Sequence, residues 1–386
     1  MRHLSVLIKP ASGLCNLRCV YCFYHAHSQE DSISIPQKIM PDSVAESLVQ
    51  KAFDCAQNSI SFAFQGGEPT LAGLAFFENF ILLIKKYRPP HVGVHFSIQT
   101  NGTLLNEQWC DFFRKYNFLV GLSIDGLQKI HDALRKDNKG QTTYEQVVAA
   151  YKMLVAKQVD VNILCVVTQK TTGLAKRVYS ELGNMGCRHM QFIPCLDQSS
   201  SERGNNSYSL LPAQYGSFLK EIFDMWYTDW KNDTYRSIRL FDDYVRIMAN
   251  MAPSSCATAG ACGKYAVIEA DGSVYPCDFY VRNQYLLGNI TENSFEEVLN
   301  SPQATAFMQE SANRPPTCAS CKYSAICMGG CKRDWFVQNN TNHNYYCQSF
   351  KNFFEHALPR LSIVAQAERQ AQAYARQKFN QTTLQK

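Results

Sequence analysis

The stretch CNLRCVYC places Cys15, Cys19 and Cys22 at spacings of four and three residues, shortly after an apolar run that ends at Pro10. Four thiolates close a tetrahedral metal shell, whereas three leave one coordination position to something other than protein, which is what a reactive centre needs. Thiolate sulfur also supports iron–sulfur clusters of low reduction potential. Eight further cysteines follow as Cys256, Cys262 and Cys277, then Cys318-x2-Cys321-x5-Cys327-x3-Cys331-x15-Cys347. Eight ligands fill two four-cysteine sites, and their spacing suits structural zinc as well as iron–sulfur clusters. Of the remaining Cys55, Cys110, Cys165, Cys187 and Cys195, Cys165 in NILCVVT reads as a small buried hydrophobe.

Composition bounds what surrounds these thiols. With 386 residues, 46% of them hydrophobic, the chain can bury one large core or two medium ones. Its net charge of +5 is spread through the sequence, with no basic block of the kind that marks a nucleic-acid arm, so no nucleic-acid partner is expected. The first apolar run is broken by Lys9 and Pro10 before a signal-peptide core forms, and no later run has membrane-spanning length. A cytoplasmic protein without a membrane partner is the expectation. In a reducing compartment its 16 cysteines read as metal ligands or reactive thiols, not as disulfides.

Six β-rich runs must position the first cluster: LSVLIKP, SISFAFQG, VGVHFSIQT, FLVGLSID, VDVNILCVVT and HMQFIPCL. Between them lie stretches with helical spacing, at 42–57, 74–87, 107–116, 144–157 and 174–185. Strand and helix alternating in this way predict an α/β fold with a parallel sheet, a partial (β/α)6 TIM-like barrel whose strand C-terminal ends carry the site. A polar, Ser-rich loop follows Asp197, then a helical segment over 213–231. From Cys256 to Cys347 periodicity fades, which suggests a second module folded around metal. The polar end, from 366 to 386, reads as a fraying helix.

The triplet sits in the turn after the first strand, and the second strand ends in FQGGEP. Together, with Tyr21 just before the last cysteine, they resemble the radical S-adenosylmethionine (SAM) superfamily. That resemblance implies a [4Fe–4S] cluster on Cys15, Cys19 and Cys22, with its fourth iron left for the amino and carboxylate groups of SAM. The cofactor supplies a 5′-deoxyadenosyl radical able to take hydrogen from an unactivated C–H bond, and the protein supplies position. The resemblance assigns GGEP, with Gly66, Gly67 and Glu68, to the methionine amino group, and the Ser123 to Asp125 stretch to the ribose and methionine portions of SAM. Gln99 and Asn101 stand on the same rim, where turn chemistry is an equal reading. Arg135 is a weaker candidate for the SAM carboxylate. His25 and His27 read as surface or supporting residues.

The C-terminal cysteines look like the SPASM extension of peptide-modifying radical SAM enzymes. This resemblance divides the ligands into Cys256, Cys262, Cys277 and Cys331 for one auxiliary [4Fe–4S] cluster, and Cys318, Cys321, Cys327 and Cys347 for the other. It implies a barrel over residues 1–235, an auxiliary cluster domain over 236–365 and a polar tail over 366–386.

Several stretches, among them KPASGLCNLRCVYCFYH, FAFQGGEPTLAGL, SVYPCDFYV and NYYCQSF, resemble the anaerobic sulfatase-maturating enzymes. That family oxidises a cysteine or serine of a sulfatase polypeptide to formylglycine, after a Cβ hydrogen is taken by the deoxyadenosyl radical. The resemblance implies substrate contacts from Tyr24 and Gln65, a general base at Asp278, an electron donor such as flavodoxin or ferredoxin, and a monomer. Two alternatives stand beside it. One is another SPASM-type modifier that makes a thioether or carbon–carbon cross-link. The other is a zinc-bearing protein- or RNA-binding adaptor, which leaves the triplet and GGEP unexplained.

Overall fold

A computed structural model describes residues 1–26, 38–197 and 203–384. His27 and residues 198–202 of the Ser-rich run after Asp197 lie outside the described residues. In chain order the first ten strands are β1 (His3–Ile8), β2 (Ser59–Phe64), β3 (Gly93–Thr100), β4 (Phe118–Ser123), β5 (Asp160–Val167), β6 (His189–Pro194), β7 (Ser237–Ile238), β8 (Ala266–Ile268), β9 (Ser273–Tyr275) and β10 (Gly288–Asn289), and a hairpin of Trp335–Gln338 with Thr341–Asn344 follows. Two compact units interleave along the sequence. Met1–Thr168, Cys195–Ser209 and Gly263–Glu310 make the first; Gln169–Pro194, Leu210–Cys262 and Ser311–Lys386 make the second.

In the first unit β1 to β5 lie side by side in chain order, all parallel. Short β8 adds to the free edge of β1, also parallel, and β9 and β10 continue antiparallel. The helices between strands bury apolar stripes at helical spacing. Leu74–Tyr87, for instance, buries Phe76, Phe77, Phe80, Ile81, Leu83 and Ile84, while Lys85 and Lys86 complement its C-terminal end. Phe64 of β2 meets Phe77 and Phe80 edge-on, with ring centroids 4.9 and 5.2 Å apart. Asn106 caps helix Glu107–Lys115 by accepting from the Trp109 N–H.

The second unit contains the sixth expected strand, β6, paired in parallel with β7. Its core joins helices Pro212–Lys231, Arg239–Met248 and Cys347–Leu384 through aromatic rings, with Phe353 stacked on Phe241 at 5.4 Å and edge-on to Phe223 at 5.6 Å. One helix runs from Cys347 to Leu384, so the polar C-terminal stretch continues the helix whose first half enters this core.

Candidate active site

Three thiols open the site. Cys15, Cys19 and Cys22 are all partly exposed and close enough that ionising Cys22 would oppose ionisation of both others. Burial pushes the Cys19 thiol up to about 12, with the Arg135 guanidinium pulling it back. Three N–H groups face the sulfurs. Leu17 N–H donates to Cys15 Sγ at 3.4 Å, Asn101 Nδ2 to the same sulfur at 3.9 Å and Arg135 Nη1 to Cys19 Sγ at 3.9 Å. Donors aimed at sulfur stabilise thiolate, the form that ligates metal and tunes a cluster's potential. The donor set therefore fits an iron–sulfur cluster.

GGEP is strapped to this loop by its backbone. Gly67 N–H donates to Ser12 O and Glu68 N–H to Leu14 O, each at 2.7 Å. The approach is so close that a Cβ on Gly67 would lie 2.0 Å from Leu14 O, and Gly66 adopts φ +125°. Here glycine is required by the cysteine loop itself. Glu68, 1% exposed, accepts from Thr70 N–H and Oγ1–H, Thr100 Oγ1–H and Asn101 N–H at 2.6–3.1 Å. Burial raises its pKa, against the pull of those donors. Three of the four donors occupy Oε1, so Oε2 keeps an accepting position. Asn101 links the two loops, since its Nδ2 also donates to Asn16 Oδ1 at 2.9 Å.

At the ends of β4 and β5 a second buried hub forms. Asp125, fully buried, accepts from Tyr21 Oη–H, from Arg135 Nε at 2.9 Å and Nη2 at 3.4 Å, and from Val166 N–H at 2.9 Å. A carboxylate offers about four accepting positions, so these donors saturate it. The Asp125 and Tyr21 side chains brace the cysteine loop against β5. Ser123 is buried at the last position of β4. Behind the hub, Asp125 N–H donates to His131 Nδ1 at 3.3 Å, which leaves the ring proton on Nε2, facing Thr143 Oγ1 at 3.1 Å. Burial lowers the His131 pKa to about 4, so the ring is neutral at ordinary pH.

The third group was not legible as a group. Asp278, in the turn after β9, meets residues of the loops after β1 and β2 that lie more than 200 positions away. Its Oδ2 accepts from Tyr24 Oη–H at 2.6 Å and from Gln65 Nε2 at 2.9 Å. Its Oδ1 faces Lys9 Nζ at 2.9 Å, and Lys9 Nζ faces Glu269 Oε1 at 2.8 Å. Lys9 and Glu269 escaped the sequence reading, which took Lys9 only as a break in an apolar run. The available signal was that lysine itself, a charge directly after a strand whose last three residues are buried.

In the second unit Cys318, Cys321, Cys327 and Cys347 line one cavity of about 400 Å³ including its open mouth. Burial pushes the Cys327 thiol up to about 12, and the other three thiols add to the effect. Cys256 lies near enough to influence both Cys262 and Cys331. Asp243 builds the loop that carries Cys256, accepting from Ser254 N–H, Ser255 N–H and Thr258 Oγ1–H. Cys277 belongs to the first unit.

A family model described as the radical SAM superfamily matches residues 10–174, and one described as an iron–sulfur cluster-binding domain matches residues 256–322. Over 367 residues the chain is 44% identical to the cysteine-type anaerobic sulfatase-maturating enzyme of Clostridium perfringens (strain ATCC 13124), covering 95% of this chain and 99% of that one. The cysteine-type enzyme of Clostridium novyi is 42% identical, with 95% and 98% covered. This chain belongs to the anaerobic sulfatase-maturating enzymes. The serine-type member from Bacteroides thetaiotaomicron is 29% identical over 94% of this chain and 91% of its own. A solved structure, native anSMEcpe with bound AdoMet and Kp18Cys peptide, superposes with a TM-score of 0.90 at 43% identity, covering 95% of this chain and 99% of that one. As an anaerobic sulfatase-maturating enzyme the chain is a radical SAM oxidoreductase whose cofactors are SAM and three [4Fe–4S] clusters. Among the described residues no helix is long and apolar enough to cross a membrane.

Proposed function

We propose that this enzyme oxidises a cysteine of a sulfatase polypeptide to formylglycine, with Asp278 as the base. Preference for cysteine is supported by the higher identity to cysteine-type members, 42–44%, than to serine-type members, 29–30%. When bound, the cofactors supply a radical that takes one Cβ hydrogen atom and a sink for the electron left behind. What remains for the chain is to hold the side chain and take its proton. Loss of one hydrogen atom, one proton and one electron turns CH2–SH into a thioaldehyde, which water converts to the aldehyde with release of hydrogen sulfide.

The observation that carries this reading is the Asp278 corner. Both accepting positions of Oδ2 are filled, by Tyr24 and Gln65. A substrate thiol reaches the carboxylate by displacing the Gln65 amide, which then turns to the peptide. That exchange gives Gln65 the substrate contact expected of it, Tyr24 meets the substrate from its place beside Asp278, and an external donor such as flavodoxin or ferredoxin supplies the electron that starts the cycle. Cys15, Cys19 and Cys22 would hold the SAM-binding cluster, and Glu68, with an accepting position left on Oε2, would receive the SAM ammonium.

The test is mass spectrometry of synthetic sulfatase peptides with Cys or Ser at the target position. Aldehyde formation should be faster on the Cys peptide. In Asp278→Asn it should fall by roughly a hundredfold to ten-thousandfold, about 3–5 kcal/mol, more on Ser than on Cys because a hydroxyl holds its proton more tightly. Equal rates and equal product per 5′-deoxyadenosine in Asp278→Asn and its parent would remove Asp278 from the reaction, and no aldehyde on either peptide would overturn the function.

A further inference from the structure

Lys9 is fully buried, on a residue type that is almost never so unless it is paired. Its placement follows from register. Ile8 of β1 stands level with Ile268 of β8 on one side and with Phe64 of β2 on the other. The next residue of each parallel strand is therefore abreast of its neighbours: Glu269, Lys9 and Gln65. The ladder continues through this row, with Lys9 N–H donating to Ile268 O at 2.9 Å and Gln65 N–H to Ile8 O at 3.0 Å. Three adjacent strand ends thus present an anion, a cation and an amide in one line, and Asp278 lies over the cation and the amide.

Glu269 is itself fixed. Its Oε2 accepts from Ser12 Oγ–H at 2.6 Å, and Ser12 Oγ accepts from Ala270 N–H at 2.9 Å. The Lys9 ammonium also lies 4.7 Å from the centre of the Tyr24 ring, a cation–π contact with the residue that donates to Asp278. Burial alone would lower the Lys9 pKa, but the Asp278 and Glu269 carboxylates outweigh it and raise it, so the cation is permanent. Lys9 contacts both carboxylates as ion pairs, at 2.8 Å to Glu269 and 2.9 Å to Asp278.

We propose that Lys9, oriented by Glu269, is the positioning residue of the reaction: it anchors Asp278 through Oδ1 while Oδ2 exchanges the Gln65 amide for the substrate. A carboxylate held only through Oδ2 would lose its orientation at the moment its partners change. An ion pair on the opposite oxygen keeps the carboxylate plane in place through that exchange and does not compete with substrate. This inference rests on the reading of Asp278 as the base.

A double-mutant cycle on the cluster-loaded enzyme tests it, with aldehyde formed per minute and per 5′-deoxyadenosine as readouts. Lys9→Met should lower kcat by on the order of a hundredfold, the effect of a misplacement near 1 Å, with KM for the peptide changed little. In the Asp278→Asn background the same change should cost less than about threefold, because residues acting through one another are not additive. Lys9→Met leaves Glu269 buried without its cation, so Lys9→Met with Glu269→Gln, which removes both charges, provides the second variant. Iron content is the control for folding. Unchanged kcat in the Lys9 variants, losses that add fully to that of Asp278→Asn, or failure of both variants to load clusters would overturn the inference. If Asp278→Asn alone leaves rate and coupling intact, the reading of the base has failed, and the cycle shows it separately.

Discussion

At the scale of the residue, this site is decided by how closely backbones can approach. Gly67 is where the second strand's loop touches the cysteine loop, and a methyl group there would meet main-chain atoms that no rotamer change can move. Gly67→Ala is expected to cost more than about 4 kcal/mol, to lower iron in the first cluster and to abolish SAM cleavage with it. Gly173→Ala, where a Cβ would meet nothing within 4 Å, is the control and should leave melting temperature and iron content unchanged. Glu68 makes a related prediction. Gln keeps its shape but offers one acceptor oxygen to four donors. Glu68→Gln should destabilise by about 1–3 kcal/mol in chemical denaturation, the cost of a buried polar group left unmade. The glycine doublet and the acid were visible in the sequence as a site. That they hold the cysteine loop was not, because the contact involves backbone atoms with no side-chain signature.

At the scale of the element, helix Gln128–Leu134 was not anticipated, since it is short and its His131 and Asp132 interrupt any apolar stripe. His131 shows what the element is for: its neutral ring joins the Asp125 hub to Thr143, just before helix Tyr144–Ala156. The pH dependence follows from its lowered pKa. Above about 6.5 the ring is neutral in both folded and unfolded chains and stability does not change with pH on its account. As pH falls from 6.5 towards 4 the unfolded chain binds a proton that the folded one refuses, so stability declines, levelling off below the folded value of about 4. The decline amounts to about 3 kcal/mol as an order of magnitude. Denaturant midpoints at pH 7 and pH 4 should converge between the parent and His131→Gln; parallel pH profiles would show that His131 is not the group responsible. The long elements were legible because their periodicity is strong: Leu74–Tyr87 buries its apolar residues on the stripe the spacing predicts.

At the scale of the whole molecule, the eleven cysteines of the triplet and the two apparent tetrads predict a metal content. Anaerobically reconstituted protein should hold about twelve iron and twelve sulfide per chain, four of each per cluster; tightly bound zinc with little iron would contradict the assignment. Replacing Cys15, Cys19 and Cys22 together by Ala should abolish reductive cleavage of SAM, measured as 5′-deoxyadenosine released. Replacing Cys318 or Cys321 should instead lower peptide oxidation, along with stability, since metal binding and folding are coupled.

By itself the sequence determined the ligand types, the α/β alternation and the loops in which chemistry occurs, because cysteine spacing, turn residues and apolar periodicity are local properties of a chain. It contained Asp278, Tyr24 and Gln65 as separate candidates, by resemblance of the stretches around them. Only the tertiary structure decided that these residues meet, and that Lys9 and Glu269 stand behind them. The reason is the parallel register of β8 on β1, which sets residues 9 and 269 side by side across more than 250 positions of sequence. A pairing of that range leaves no periodic trace, and a lone lysine at the end of an apolar run reads as an interruption until the strand beside it supplies the carboxylate.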